Sequence, residues 1–320
     1  MSLKLTAITV AFLAGVVPAA TAQAADGYPT KSVEYIIPFN AGGESDVSAR
    51  FQQATWEKMF GQQLVIQYMA GAGGAQAWSQ LNSLPDDGYT IMGINLPHTV
   101  LQPMEKDVGY KTEDLTPVNY FHYTPDAIFV GKDSQFQTLK DLVDYAKQNP
   151  GLVTFSGSGS NSSNNLAQAR LDDLAGITTT YIPFSGTSPA ITAVLGGQTI
   201  AGFNYVTSGV SQGDALKMLA VAADERLPAF PDVPTFKELG YDLVGGAYRG
   251  VAVPKSASEE VRKAVSDAVS KVNADPDFKK KMEDAGFVLT DLPYEKMGTF
   301  MAEKQKEYEA GAAKLGIAAK

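Results

Sequence analysis

Short runs rich in β-branched and aromatic residues alternate along this chain with stretches whose apolar positions recur at helical spacing. "SVEYIIPF" precedes a helical pattern from about Asp46, "QLVIQY" precedes "GAGGAQAWSQLNSL", and "LVTFSG" precedes "NNLAQARLDDLAGI", with "YTIMGIN" as a further strand. This alternation predicts an α/β architecture with mostly parallel sheets. After Asp46 the spacing puts Val47, Phe51 and Ala54 on one helix face. After Asn165 it aligns Ala167, Leu171 and Leu174, with Gly176 as the C-cap. In "YIPFSGTSPAITAVLGGQ", Ser188 reads as an N-cap, Pro189 as the first helical residue and Gly196 as the terminator. The last third, from "SASEEVRKAVSDAVSKVNADPDFKKKMEDAGF" onward, reads as surface helices with Val261, Val265, Ala268 and Val269 facing inward. Its charge runs read as solvated faces.

Three of the predicted helices start directly after glycine or small polar residues: at Gly42-Gly43, at "SGSGSNSSNN" and at "SGTS". The first amides of a helix lack internal partners, so a strand feeding such a loop makes a place for an anion. Loops at the carboxyl ends of parallel strands also converge on one crevice. Repetition of the device points to a shared ligand, and its chemistry is the open question.

Composition narrows the class. With 320 residues and 44% hydrophobic content the chain can bury one large core or two ordinary ones. A formal net charge of -9 without any basic run argues against nucleic acid, whose phosphates need clustered Lys and Arg. At the N-terminus, Lys4 precedes an apolar run from Leu5 to Val17 and then Ala22-Gln23-Ala24. A run of about 13 such residues is too short to span a bilayer and matches a signal peptide. Residues 1–24 are expected to be cleaved, with the mature chain starting at Ala25; an uncleaved anchor is the alternative. No other stretch approaches about 18 apolar residues, so the exported product is expected to be soluble. The absence of cysteine removes disulfides, thiolate metal sites, cysteine nucleophiles and a lipid-modified N-terminal cysteine together.

Catalytic equipment is thin. The Walker pattern is missing, "GAGGAQ" has Gln76 where a dinucleotide fingerprint needs glycine, and "GSGSNS" ends on Ser162. There are two histidines, His98 in "GINLPHTV" and His122 in "YFHYTP", and no zincin, EF-hand or G-x-S-x-G motif. Each histidine is either a structural, hydrogen-bonded residue or, for His98 above all, part of the crevice wall. A Ser-His-Asp triad is a matter of space and not of spacing, and so stays open. The expectation is a binding protein with no cofactor and no metal. A small carboxylate held by four or five amide and hydroxyl donors would gain a gross of roughly 8–12 kcal/mol, leaving a micromolar complex after the cost of closure. Arg249, between Tyr248 and Gly250, is the best candidate for a bidentate ion pair with it, a structural arginine being the alternative. Glu44 and Asp46 suit a helix start and default to a structural role. Either would repel a carboxylate unless a water, cation or donor intervened.

Five segments, "YPTKSVEYIIPFNAGGESDVSAR", "GAGGAQAW", "LPDDGYTIMGIN", "TYIPFSGTSPAITAVLGGQ" and "FPDVPTFKELGYD", resemble in order the signatures of the solute-binding proteins of tripartite tricarboxylate transporters, the Bug/TctC-type family. The resemblance implies a type II periplasmic-binding-protein fold: lobe 1 from 25–126 plus 251–320, lobe 2 from 127–250, joined by two crossover segments near Asp126-Ala127 and Gly250. It implies a carboxylate ligand between the lobes, delivery to a large and a small membrane subunit, and a monomer in the periplasm. The matching ligand positions are Phe39, Asn40, Gly42, Gly43, Ser45 and Asp46 in the first loop; Asn95 and His98; Ser158, Ser160, Asn161 and Asn165; then Thr187 and Ser188. Two places depart from the family pattern: Glu44 replaces a small or neutral residue, and "GGQTIAGFNYV" has Ala201 and Asn204 where an aspartate often stands. Glu44 argues against a simple di-anion, and Asn204 could contact a ligand without repulsion. A sensor module reporting to a membrane kinase, and a hydrolase using His98 and a loop serine, are the rival readings. The sequence leaves open which carboxylate is bound.

Overall fold

The computed structural model describes residues 27–317; the expected signal peptide lies outside them. The chain opens with β1 (Val33–Ile37), α1 (Glu44–Phe60), β2 (Leu64–Tyr68), α2 (Ala75–Trp78), β3 (Thr90–Leu96) and α3 (His98–Glu105). β1 pairs in parallel with β2 on one side and β3 on the other. It is buried at every position except Glu34, as a strand covered on both faces by helices requires. The long β4 (Thr116–Gly131) then leaves this sheet for a second one.

The second sheet is built by α4 (Leu139–Gln148), β5 (Thr154–Gly157), α5 (Ser163–Ala175), β6 (Thr180–Pro183), α6 (Thr187–Leu195), β7 (Ala201–Tyr205), α7 (Thr207–Gln212) and β8 (Leu216–Val221). β5 runs parallel to both β6 and β7. The chain returns through β9 (Gly246–Val253), which lies antiparallel between β3 and β4, and finishes with α8 (Glu259–Ala274), α9 (Pro276–Asp284), β10 (Val288–Leu292) and α10 (Met297–Ala312). The path across both sheets is β2-β1-β3-β9-β4-β7-β5-β6, with β8 and β10 also on β4. Each lobe thus has a parallel centre, and the two are joined along antiparallel strands.

Two lobes follow from two sets of buried side chains. One core draws on residues 33–121 and 251–317, including Trp56, Trp78, Phe121 and Phe278; the other lobe's clusters draw on 127–243, including Phe155, Phe203 and Phe236. β4 pairs with β9 as far as Pro125 and with β7 from Asp126, so it changes sheets at that bond. The return strand pairs with β4 from Gly246 onward. Asp126 N–H donates to Gly245 O (3.0 Å) and Ala222 N–H to Asp126 O (2.7 Å), which ties the two crossings into one narrow hinge.

The expected stripe on α8 is present, with Val261, Val265, Ala268 and Val269 all buried. Gly176 caps α5 in the left-handed conformation, as its position foretold. Three local readings need correction. α1 starts at Glu44, and its buried apolar residues are Ala49 and Trp56, whereas Val47 and Phe51 are half-buried and Ala54 is exposed. Leu174 is exposed where Ala167 and Leu171 are buried. Ser188 lies inside α6, whose N-cap is Gly186. In the first, polar residues share the buried face, which apolar periodicity does not register; in the last, Gly186 takes the cap position ahead of Ser188.

Candidate ligand-binding site

Five helices, α1, α3, α5, α6 and α7, each follow a parallel or central strand, so their starts gather where the two lobes face each other. Phe39, Gly43, Glu44, Ser45 and His98 from one lobe and Ser158, Gly186, Thr187 and Tyr205 from the other, with Arg249 of β9, line a common cavity. Its free volume is about 10 Å³, roughly the room one water needs. Larger cavities exist, including one of about 310 Å³ beside the hinge lined by Arg170, Gly245 and Lys304. Volume alone does not select the site; convergence of unpartnered polar groups does.

The donors come first. α4, α5, α8 and α9 are closed by side chains, Thr138, Ser162, Ser258 and Asp275, each accepting from a first-turn amide. α1 and α6 have glycine at the N-cap, Gly43 and Gly186, with no side-chain cap. Both glycines line the cavity. Two helix starts from opposite lobes therefore leave their first N–H groups directed to one place, where their partial positive charge favours an anion. A Cβ on Gly43 would lie 3.3 Å from Asn40 O of its own loop and 3.8 Å from Thr187 Cβ across the cleft, so a side chain here would stand between the two loops.

One wall is aromatic. The Phe39 and His98 rings stand edge to face with Trp78 at 6.1 Å, and Trp78 is pinned by its indole N–H donating to Gly93 O at 2.9 Å. His98 is 1% exposed and neither ring nitrogen has a hydrogen-bond partner. Burial, helped by the nearby Arg249 charge, lowers its pKa to about 3, so the ring is neutral. His122 sits opposite Arg249 on β4, bonded through Nδ1 to Thr124 Oγ1 at 3.2 Å; burial likewise lowers its pKa well below the usual value.

The floor is charged. Arg249 Nη2 lies 2.5 Å from Glu44 Oε2, with both side chains almost fully buried. Its guanidinium also covers the Tyr205 ring at 4.3 Å, and Nε donates to Ser45 Oγ at 3.3 Å. Asn95, opposite Arg249 on β3, accepts from Nε at 3.0 Å once its amide is turned to suit its neighbours. Neither Glu44 oxygen accepts a hydrogen bond of good geometry. Burial pushes the Glu44 carboxyl up to about 7, against the pull of Arg249 and of the Thr124 hydroxyl. Behind it, Asp126 accepts from Ser163 Oγ (2.9 Å) and Asn164 Nδ2 (2.6 Å) through Oδ1, while Oδ2 has no partner. Burial raises Asp126 to about 7 as well, the Ser163 and Asn164 donors opposing it. Ser158 Oγ donates to Asn164 Oδ1 (2.6 Å) and meets Tyr205 OH (3.2 Å), completing a polar network from one lobe to the other.

Of the residues singled out in the sequence, Phe39, Gly43, Ser45, His98, Ser158, Thr187 and Arg249 line the cavity, and Asn95 backs it. Asp46 fastens the loop: it accepts from Gly42 N (2.7 Å), Tyr68 OH (2.6 Å) and Arg50 Nε (2.9 Å). Asn40 donates to Ser185 Oγ (2.8 Å) and Asn161 to Glu105 Oε2 (2.8 Å), both from one lobe to the other at the rim. Ser160 lies at that rim, lining a neighbouring cavity, and Asn165 accepts from Asn161 N (3.1 Å). With Val47, Phe51 and Phe287, Gly42 lines an adjoining, mainly apolar cavity of about 210 Å³, which shares Glu44 and Thr187 with the site. Ser188 Oγ would lie 3.9 Å from a Cβ on Gly42. Asn204 is buried beneath, its Oδ1 accepting from Tyr205 N at 3.0 Å and its Nδ2 unpartnered. Tyr205 and Gly186 were missed, and Glu44, given a structural role by default with its effect on a carboxylate left open, lines the cavity. The available signal for Tyr205 was its place at the end of "AGFNY", where a strand meets a helix.

Comparison with known proteins agrees with this architecture. The periplasmic binding protein BugD superposes with a TM-score of 0.85 at 25% identity, covering 92% of this chain and 100% of that one. MatC from Rhodopseudomonas palustris, solved with bound malate, gives 0.81 at 26% identity over 89% of this chain and 100% of its own. Protein BugT of Bordetella pertussis is 29% identical over 288 residues, 84% of this chain and 88% of that one. These neighbours are binding proteins, and a solute-binding role is what the likeness supports. Among the described residues no helix is long and apolar enough to cross a membrane, and no cluster of three or more His, Cys, Asp or Glu could hold a metal. The model of the tripartite tricarboxylate transporter family receptor matches residues 48–316, and the chain belongs to that family.

Proposed function

We propose that this protein is a periplasmic solute-binding protein that captures a small organic carboxylate between its lobes and delivers it, as a monomer, to the large and small membrane subunits of a tripartite transporter. The observation that carries the reading is the pair of glycine-capped helix starts, α1 and α6, which bring free amides from opposite lobes to one cavity. An anion placed there is held by both lobes at once, so binding and closure are a single event. Hydroxyls of Ser45, Ser158 and Thr187 add donors around it. Glu44 already neutralises Arg249, so amides and hydroxyls supply the main grip on the carboxylate. The bound malate of MatC supports the substrate class. The small free volume means that entry requires the lobes to part at the β4 and Gly245–Gly246 crossings.

The test is isothermal titration of the purified protein with a panel of mono-, di- and tricarboxylates, followed by recovery of the ligand. Expected is an acid that binds with micromolar Kd, about -8 kcal/mol, and is recovered unchanged. Chemical conversion of the acid, or failure of every carboxylate to bind, would overturn the reading.

A further inference from the structure

Among the ten residues that line the cavity the single cationic side chain is Arg249, and its charge is taken by Glu44 at 2.5 Å. Asp126 adds a second buried carboxyl group that interacts with both. A ligand carboxylate placed at the α1 and α6 starts meets amides and hydroxyls, but a second carboxylate on the same ligand has no unengaged cation among the lining residues. Near the floor it would face Glu44 instead. Glu44 is 4% exposed and lines the cavity, and beyond the Arg249 ion pair and the Thr124 hydroxyl that act on it neither oxygen is in a hydrogen bond of good geometry. The acceptor capacity left on a carboxylate buried in this way is completed by a donor from the ligand, most favourably a charged one.

Resting on the carboxylate-binding reading, we propose that the preferred cargo is an amino-carboxylate, whose ammonium faces Glu44 while its carboxylate takes the amides of the two glycine-capped helices. The cleft then holds a zwitterion: the ligand brings no net charge, and each of its poles meets the opposite sign. A di-anion of the same length forfeits the ammonium contact and adds a negative charge beside Glu44.

The experiment titrates the purified protein at pH 8 with matched sets: propionate, alanine, β-alanine and malonate; butyrate, 2-aminobutyrate, 4-aminobutyrate and succinate. Expected is an amino member that binds at least tenfold tighter than both its unsubstituted and its dicarboxylate counterpart. Glu44→Gln should remove that preference or reverse it, with unchanged circular dichroism, and Glu44→Asp should keep its direction. A dicarboxylate that binds tightest to the wild type would overturn the proposal and leave the binding reading standing. So would a preference for the amine that survives Glu44→Gln. A dicarboxylate bound with uptake of one proton, read from titrations in buffers of different ionisation enthalpy, also counts against it, because Glu44 would then be acting as the donor. If no acid in either set or in the wider panel binds, both readings fall together.

Discussion

At the scale of single residues, the Glu44–Arg249 contact decides how this site responds to pH and to mutation. Removing Arg249 leaves a buried carboxylate without its counter-charge, a change that typically costs about 3–5 kcal/mol. Arg249→Ala should therefore lower the urea midpoint substantially, whereas Glu44→Gln combined with Arg249→Met should recover most of the loss. The double-mutant cycle measures the coupling. The pH dependence has a definite sign. Glu44 and Asp126 are both raised to about 7 in the folded chain, so between their unfolded values near 4 and pH 7 the folded state holds more protons. Their contribution is present at low pH and is lost as pH rises through that window. His98, lowered to about 3, and His122, held well below the usual imidazole value, act oppositely: their contribution is absent in acid and grows as pH rises toward 6.5. The wild type should therefore show a flattened stability profile between pH 4.5 and 6.5. Glu44→Gln should gain on it steadily from pH 5 to 8, by on the order of 3 kcal/mol, in urea titrations at each pH. Parallel profiles for the two proteins would contradict the assigned burial effect.

At the scale of elements, what matters is how a helix begins. Glycine at the N-caps of α1 and α6 leaves amides that serine or aspartate would have satisfied. Gly43→Val should abolish ligand binding in titration calorimetry while the thermal midpoint moves little, since Gly43 has ordinary extended dihedrals and the added methyls meet Thr187 across the cleft. Retained affinity would place the ligand away from this loop. By contrast Ser162 accepts from Asn165 N as a conventional cap, and its loss should cost about 1 kcal/mol of stability. The same contrast explains what could be read in advance. Helices with a plain solvent side, such as α8, announce their buried face through valine and alanine spacing. α1 buries Ser45, Ser48, Gln52 and Thr55 beside its apolar residues, so the stripe through Val47, Phe51 and Ala54 gave only part of its buried face: Val47 and Phe51 pack against the core and Ala54 is exposed. The loops of the site were readable because glycine and serine mark helix starts locally. The Glu44–Arg249 pair was not, because its members lie in different parts of the chain and meet only through the order of strands β1, β3 and β9.

At the scale of the whole molecule, the proposed closure draws on contacts at the rim as well as on the ligand. Asn40 reaches Ser185, and Asn161 reaches Glu105, across the mouth of the cleft. A neutral hydrogen bond contributes about 0.5–1.5 kcal/mol net and one to a carboxylate such as Glu105 about 1.5–3, so removing both should shift the lobes toward the open state. The double variant Asn40→Ala/Asn161→Ala should weaken ligand binding by roughly tenfold, mainly through faster release in stopped-flow traces. Small-angle scattering should report a larger radius of gyration without ligand. An unchanged release rate would remove the rim contacts from the closing equilibrium.

Arg249 follows shortly after Gly245 and Gly246, on the strand that carries the return crossing. The guanidinium that lines the cleft and the residues at which the chain passes back between the sheets thus lie on one continuous stretch of backbone. On the reading proposed above, recognition and lobe movement share this strand, and a change that disturbs one is expected to disturb the other.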